Sequence, residues 1–589
     1  MLFAERAAAA SGAPLARDDW PDVVRLCRKL DGLPLAIELA AAQIRVLSPG
    51  QLARRFSALL SGGTLDQAVP ARHRTLQAAI DWSHELCSPQ ERLLWDRASI
   101  FAGRFGLEAA EGVCSSADIP REQILDVVAG LVDKSVLVPE EQLGEVRYRL
   151  LETLAHYGRA RLRDAEEEQE LVRRHRDWYL ESAERMAAQW YGPDQVKWSR
   201  WLRREYPNLR AAMEYCLSTP GEEEAGLRIT AALLPYWLGA FQLGEGRLWL
   251  DRALAAAPEP TLTRATSLVN LTRICADRGD FAAAEAALRE CRALADFLDS
   301  PLVAARADAA EAEMAVLRGD PATAVALSEK ALACSEYAAL PERMESLYQL
   351  TVGHGLGGHY DETMTAFEEA RRCSAATGDR SSLTWALLAR SVAEFLAGEN
   401  KAAIKSARQV VSMARDFNNG IGISAAFTLL LCSSVGDGDF DRAAVLHGAR
   451  QRIRQLFRIT GFALTERENA SIEAASSQIR AELGEARFEA AVGRGLAFTA
   501  DEAVAYALGA EDEPATAADT HTVQAEPDPL TARERQVAQL VAQGMSNKQI
   551  AAALVIGVRT AEGHVERILT KLGFTSRTQI AAEIAHRDD

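Results

Sequence analysis

Lysine is nearly missing from this chain of 589 residues, supplying only eight of its 66 basic side chains. None of the eight, at positions 29, 134, 197, 330, 401, 405, 548 and 571, follows a glycine. That excludes a GxxxxGK[ST] loop, in which backbone amides cradle phosphates and the lysine neutralises them. Neither HExxH nor GxSxG occurs, so the chain by itself is expected to be no enzyme. The nine cysteines are odd in number and contain no CxxC pair, which argues against a disulfide framework and for buried thiols in a reducing compartment. No apolar run reaches the length of a membrane span, the nearest being interrupted by Thr230, Pro235 and Gln242. The opening MLFAERAAAA carries charge too early for a signal peptide, so the expected location is cytoplasmic, without a membrane partner. What remains is a globular composition, 48% apolar and 25% charged, long enough for several domains and acidic at a net charge of -17.

The last sixty residues depart from that acidity. Between Leu530 and His586 two lysines and five arginines face four glutamates, a surplus of three positive charges. Thr531 and Glu534 have capping-box spacing, and Val537, Leu540 and Val541 form one apolar stripe that Gly544 ends. Ser546 caps a second short helix with Ile550, Ala551 and Leu554 inward. After the tight turn at Val555–Val558, a third helix runs from Arg559 or Thr560 through Val565, Ile568 and Leu572 to Gly573, and a fourth comes after Arg577. Two short helices joined by a glycine-containing turn read as a helix-turn-helix, whose second helix enters the major groove.

These residues resemble the LuxR-type (NarL/FixJ-like) helix-turn-helix family, through Leu530-Thr531, Arg533-Glu534, Gly544, Ser546-Asn547-Lys548, Ile550-Ala551, Leu554, Thr560, His564-Val565, Lys571-Leu572-Gly573 and Arg577. The resemblance implies double-stranded DNA as partner, with Thr560 to Lys571 as recognition helix and self-association through the fourth helix. It places Lys548, Thr560, Lys571 and Arg577 near phosphates and Glu562, Gly563 and Glu566 towards base edges. His564 and Arg567 complete the candidate DNA-binding set, His564 as a structural or phosphate-side residue. Relatives often carry Lys, Val or Lys where Glu562, Gly563 and Glu566 stand. Glutamate can accept from the cytosine amine but repels phosphate, trading affinity for discrimination; the other reading of Glu562 and Glu566 is a solvated helix face.

The middle repeats. Gly239, Gly279, Gly319, Gly358, Gly398 and Gly438 recur at intervals of 40, 40, 39, 40 and 40 residues. Five residues after each comes a small residue, Gly244, Ala284, Ala324, Thr363, Ala403 or Ala443. Glycine lets the chain turn out of one helix, and the small side chain lets the next helix pack closely, so each unit is a helical hairpin. The pattern resembles tetratricopeptide-type repeats lengthened towards 40 residues, which stack into a superhelix with a concave face. Its partner is expected to be a protein or a small-molecule ligand, left open between the two. The aromatics Trp237, Phe241, Trp249, Tyr348, Tyr360, Trp385 and Phe395 read first as core, and His354 and His359 as turn residues without metal partners.

Upstream, Gly32-Leu33-Pro34-Leu35-Ala36 resembles the GLPL motif of NB-ARC modules in STAND-class ATPases, which makes Pro34 a remnant nucleotide-binding position. The stretches His73 to Cys114 and Leu131 to Leu162 resemble the winged-helix domain that comes after such a module, with wing strands at Ser135–Val138 and Val146–Leu150 joined across Gly144. In that class the winged helix is an intramolecular latch. Leu150-Leu151-Glu152 stands in the position of an MHD motif, with Leu151 in place of its histidine. About thirty residues precede Gly32, too few for the sheet-bearing half, so ATP or ADP is expected only if an ATPase half is supplied. A misplaced start, a natural truncation and a subunit in trans are the three explanations, the first two favoured because Met1 to Ala7 reads like module interior.

The expected fold is predominantly all-α. It comprises an NB-ARC remnant at 1–60, a winged helix at 61–160, a helical connector at 161–230, and an α-solenoid of TPR-like hairpins at 231–508. A flexible acidic linker at 509–528 and a four-helix LuxR-type domain at 529–589 complete the chain. The function expected is a DNA-binding transcriptional regulator controlled through solenoid and winged helix. The alternatives are a TPR scaffold with an accessory DNA-binding tail, or a truncated STAND regulator needing its ATPase half.

Overall fold

The computed structural model describes residues 2–11, 15, 19–30, 34–45, 47–54, 71–240, 242–457, 459, 465–509, 532–542, 545, 547–554, 563–565 and 567–568. At the N-terminal end, helices Leu2–Ser11, Trp20–Lys29, Pro34–Ala42 and Ala71–Glu85 share a small core in which Phe3, Leu26, Leu30, Leu52 and Trp82 are buried. Leu39 and Ile80 face the neighbouring core, so this segment packs continuously onto the helices after it.

Helices Pro89–Ala98, Leu107–Cys114 and Ile124–Asp133 then pack beneath an antiparallel hairpin, Leu137–Gln142 with Glu145–Leu150, in a winged-helix arrangement. A single bridge from Phe105 to Tyr148 adds a rudimentary third strand. Ser88 and Glu91 form a capping box at the first of these helices. The turn Leu143-Gly144 has φ of 53° and 80°, the doubly left-handed geometry that matches strand twist in a two-residue hairpin. The first wing strand starts two residues later than the expected Ser135 and runs on to Gln142. Ser135 is itself left-handed at φ 58°, ending the preceding helix. The acidic run beyond Val138 is accommodated because Arg104 and Arg149 both pair with Glu140.

Two long helices, Glu168–Gln189 and Gln195–Ser218, connect the wing to the repeats. After a first unit of helices Glu223–Ala232, Leu234–Gly239 and Leu243–Ala256, five hairpins follow: Leu262–Asp277 with Phe281–Phe297, Pro301–Arg318 with Pro321–Ala333, Met344–Leu356 with Tyr360–Thr377, Arg380–Leu396 with Asn400–Asp416, and Gly420–Gly436 with Phe440–Leu456. Gly279, Gly319, Gly358, Gly398 and Gly438 all have φ between 75° and 81°. At each, the glycine amide and the next amide turn back to the final turn of the helix, as Gly279 N to Ala276 O and Asp280 N to Cys275 O at 2.9 Å. Asp280, Asp320 and Asp439 then cap the second helix of their hairpins. Between hairpins a second left-handed residue recurs, Asp299, Gly378 or Asn418, and Ser300, Asp379 or Asn419 caps the next helix. Ala284, Ala324, Thr363, Ala403 and Ala443 are fully buried at the helix crossings.

The first unit breaks this rule. Gly239 ends helix Leu234–Gly239 without a left-handed φ, and Gly244 is exposed. Gly246 takes the close-packing role, because the indole of Trp237 lies where its Cβ would be, at 2.7 Å. Helices Thr465–Leu483, Glu485–Leu496 and Ala500–Leu508 close the far end. There Gly448 and Gly495 bring two helix backbones into contact, a Cβ on either falling about 2 Å from a carbonyl of the facing helix.

Candidate functional site

In the tail, helices Ala532–Ala542 and Asn547–Ala553 bury Val537, Ala538, Val541, Ile550 and Ala551 in one core with Val565 and Ile568. Leu540, Met545 and Leu554 pack at its edge. The expected inward positions of three helices thus meet. Glu534 is buried at the start of the first helix; Thr531, its expected capping partner, lies outside the described residues.

Residues 563–565 and 567–568 are helical. With 3.6 residues per turn, inward-facing Val565 and Ile568 place Gly563 and Arg567 on the opposite face. A Cβ at Gly563 would meet nothing within 4 Å, and Arg567 is exposed, so this face is uncovered at both positions. His564 and Arg567 lie 3.2 Å apart, ring Nδ1 to guanidinium Nη2, one turn apart on that helix. Lys548 belongs to helix Asn547–Ala553. Thr560, Glu562, Glu566, Lys571 and Arg577 lie outside the described residues, as do the fourth helix and the linker.

At the other end, Pro34 is the first residue of helix Pro34–Ala42, and Gly32 and Leu33 lie outside the described residues. Leu150 ends the wing, Leu151 is the extended N-cap of helix Glu152–Asp164, and Glu152 is exposed at its first turn. The wing is held to the connector by a buried polar cluster that sequence reasoning missed. Arg147, on the second wing strand, pairs with Glu205 and donates to the Arg104 carbonyl at 2.6 Å. Glu205 also accepts from Tyr179 at 2.7 Å and Asn208 at 3.1 Å, and Asn208 accepts from the Ala102 amide. No spacing in the sequence joins Arg147 to Glu205, 58 residues away.

The connector also reaches across the solenoid. Gln195, buried at its helix start, donates to Asp379 at 2.7 Å and accepts from the amides of Arg380 and Ser381. Arg203 donates to the Phe417 carbonyl at 2.9 Å, and Tyr191 bonds Glu345. Beneath these contacts the inner face forms a partly open cavity of about 420 Å³. Of the aromatics singled out in the sequence, Tyr348 and Trp385 line it, whereas Trp237 and Trp249 are core and Tyr360 is partly exposed. Trp190, Tyr191, Tyr337 and Phe417 line it unanticipated, because the residues that meet there come from helices up to four hairpins apart. Arg273 crosses the wall, bonded to Glu313 at 2.6 Å and Glu345 at 2.7 Å. Burial and the Glu313 charge push the Asp277 carboxyl well above its usual range, and burial raises Glu313 too. His354, in helix Met344–Leu356, and His359, preceding the next helix, meet ring edge to face.

Residues 528–584 match the sequence family described as bacterial regulatory proteins, luxR family. Over its whole length the chain is 27% identical to a Mycobacterium bovis protein, provisionally named an HTH-type transcriptional regulator, and covers 83% of it. Over 60 residues, 10% of the chain and 29% of the relative, it is 48% identical to the transcriptional regulatory protein UhpA of Salmonella typhimurium. A STAND protein with a tetratricopeptide repeat sensor from Pyrococcus horikoshii overlaps 78% of this chain and 71% of its own, at 13% identity and a TM-score of 0.40, too loose a likeness to bear on the argument. The C-terminal segment of this predominantly helical chain is therefore a helix-turn-helix domain of the bacterial luxR family.

Proposed function

We infer that the chain is a DNA-binding transcriptional regulator whose tail reads the major groove and whose solenoid receives the controlling signal. The observation that carries this is the luxR-family match at 528–584 coinciding with a tail core built from the expected inward residues of three helices. The name borne by the mycobacterial relative, aligned along the whole chain, supports the same role. With only three surplus positive charges, one tail gains little phosphate affinity, so two or more copies acting together are part of the proposal. No described helix is long and apolar enough to cross a membrane. The chain alone is proposed not to turn over ATP, since no lysine sits in a phosphate-binding loop; nucleotide turnover lost on mutating a residue of this chain would overturn that.

Deletion of Leu530–Asp589 is the direct test. Promoter occupancy and regulation should both vanish, while the truncated chain keeps its helical signature. Regulation that survives the deletion would instead make the solenoid a scaffold and the tail an accessory.

A further inference from the structure

The cavity inside the solenoid has a chemistry that narrows what it can hold. Four carboxylates line it, Asp277, Glu313, Glu342 and Glu345, against only two guanidinium groups, Arg273 and Arg306. Both arginines are already committed, Arg273 to Glu313 and Glu345 and Arg306 to Glu342. Among the described residues Asp277 has no ion pair of its own; the Arg273 charge that acts on it is already shared between Glu313 and Glu345. The site is therefore short of positive charge, in surroundings where burial makes each uncompensated carboxylate costly.

A second, independent observation concerns Gln349, which is only 2% exposed. Its amide nitrogen donates to the Tyr348 hydroxyl at 2.7 Å, but its Oε1 has no hydrogen-bond partner among the described residues. Gln349 is one of the residues lining the cavity, and a buried acceptor without a donor is a place where an N–H or O–H from a molecule lodged there is favourable. The walls supply flat apolar surface from Trp190 and Trp385, half-buried rings on which a cation or a ring packs favourably. The volume of about 420 Å³ is that of a small-molecule site, and the connector contacts at Gln195, Arg203 and Tyr191 bridge to the solenoid beside it.

We propose that the cavity binds a small organic cation, an amine-bearing compound with a flat apolar body, whose charge answers Asp277 and Glu313 and whose N–H reaches Gln349. This rests on the solenoid being the signal-receiving part of the protein. It adds the chemical class of the signal.

The test is calorimetric titration of the full chain with tryptamine and with tryptophol, its neutral counterpart of nearly the same shape. Tryptamine should bind at least ten-fold more tightly. In Asp277→Asn, which keeps the side-chain shape and relieves the repulsion from Glu313, that preference should fall to within about three-fold, and thermal unfolding of the variant should show a fold at least as stable as the parent. Equal affinity for the two probes, binding of neither, or a preference unchanged in Asp277→Asn would overturn the proposal. DNA affinity measured with and without tryptamine separates the two readings: binding of the amine that leaves DNA affinity unaltered would keep the cation site and remove the solenoid's role as receiver.

Discussion

Single residues carry unusual weight where polar groups are buried. Arg147 and Glu205 have side chains only 2% and 5% exposed, and each has further partners that would be stranded by removing the other. Removing one member of such a pair typically costs about 3–5 kcal/mol, whereas apolar replacement of both is often nearly neutral. Arg147→Met and Glu205→Leu singly should each shift the urea midpoint of the wing and connector strongly, and the double variant should recover most of the loss. His175 makes a different kind of contribution. It lies buried between the rings of Phe101 and Tyr179, and burial holds its pKa down to about 4. The folded state thus resists protonation that the unfolded chain accepts below about 6.5, so its stabilising effect is complete above that pH and is lost as pH falls towards 4. The difference is on the order of 3 kcal/mol. His175→Phe should flatten the acid side of the stability profile measured by urea unfolding between about pH 4 and 7.

At the scale of elements, the repeat is built from two positions with opposite demands. Gly398 has φ 81° with open space around it, so Gly398→Ala should cost only the backbone term of about 1 kcal/mol, and Gly398→Asn less, since asparagine tolerates that conformation. Ala403, five residues on, is fully buried where its helix meets the preceding one, so Ala403→Leu should cost more, about 1–3 kcal/mol, by overpacking. Thermal unfolding of the three variants would check the order, and Gly398→Ala proving the worst would contradict the account of the turn. The same two demands explain why the unit at Gly239 keeps the interval but departs from the turn and crossing rule. There the bulky Trp237 occupies the crossing, and Gly246 moves into the role of the small residue.

For the whole molecule, the controlling contact is the return of the connector onto the solenoid. Gln195 satisfies the first two amides of helix Arg380–Leu396, and Asp379 satisfies the third from its own side chain. These sites are 184 to 186 residues apart in sequence, so Gln195, together with Arg203 and Tyr191, ties the connector to hairpins far along the chain. Gln195→Ala should leave two amides unsatisfied at about 1–3 kcal/mol and speed hydrogen exchange at Arg380 and Ser381. Exchange unchanged at those amides would mean that the superhelix holds its shape without this strap.

Everything with a local period was determined by the sequence itself. The glycine interval, the small residue at crossings, the paired caps and the inward stripe of the tail all come from backbone stereochemistry and helical spacing within a few residues. The two-residue wing turn was legible at Gly144, but the strand length was not, because Glu140 is tolerated only through Arg104 and Arg149. Asp299 and Asn418, the left-handed residues between hairpins, carry no signal as strong as glycine and went unread. Tertiary structure alone decided which aromatics line a cavity and which fill the core, and it alone joined Arg147 to Glu205 and Gln195 to Asp379. The first pairing depends on how the wing packs on the connector, the second on how the hairpins before Arg380 add their small rotations, and neither relation shows in any local pattern.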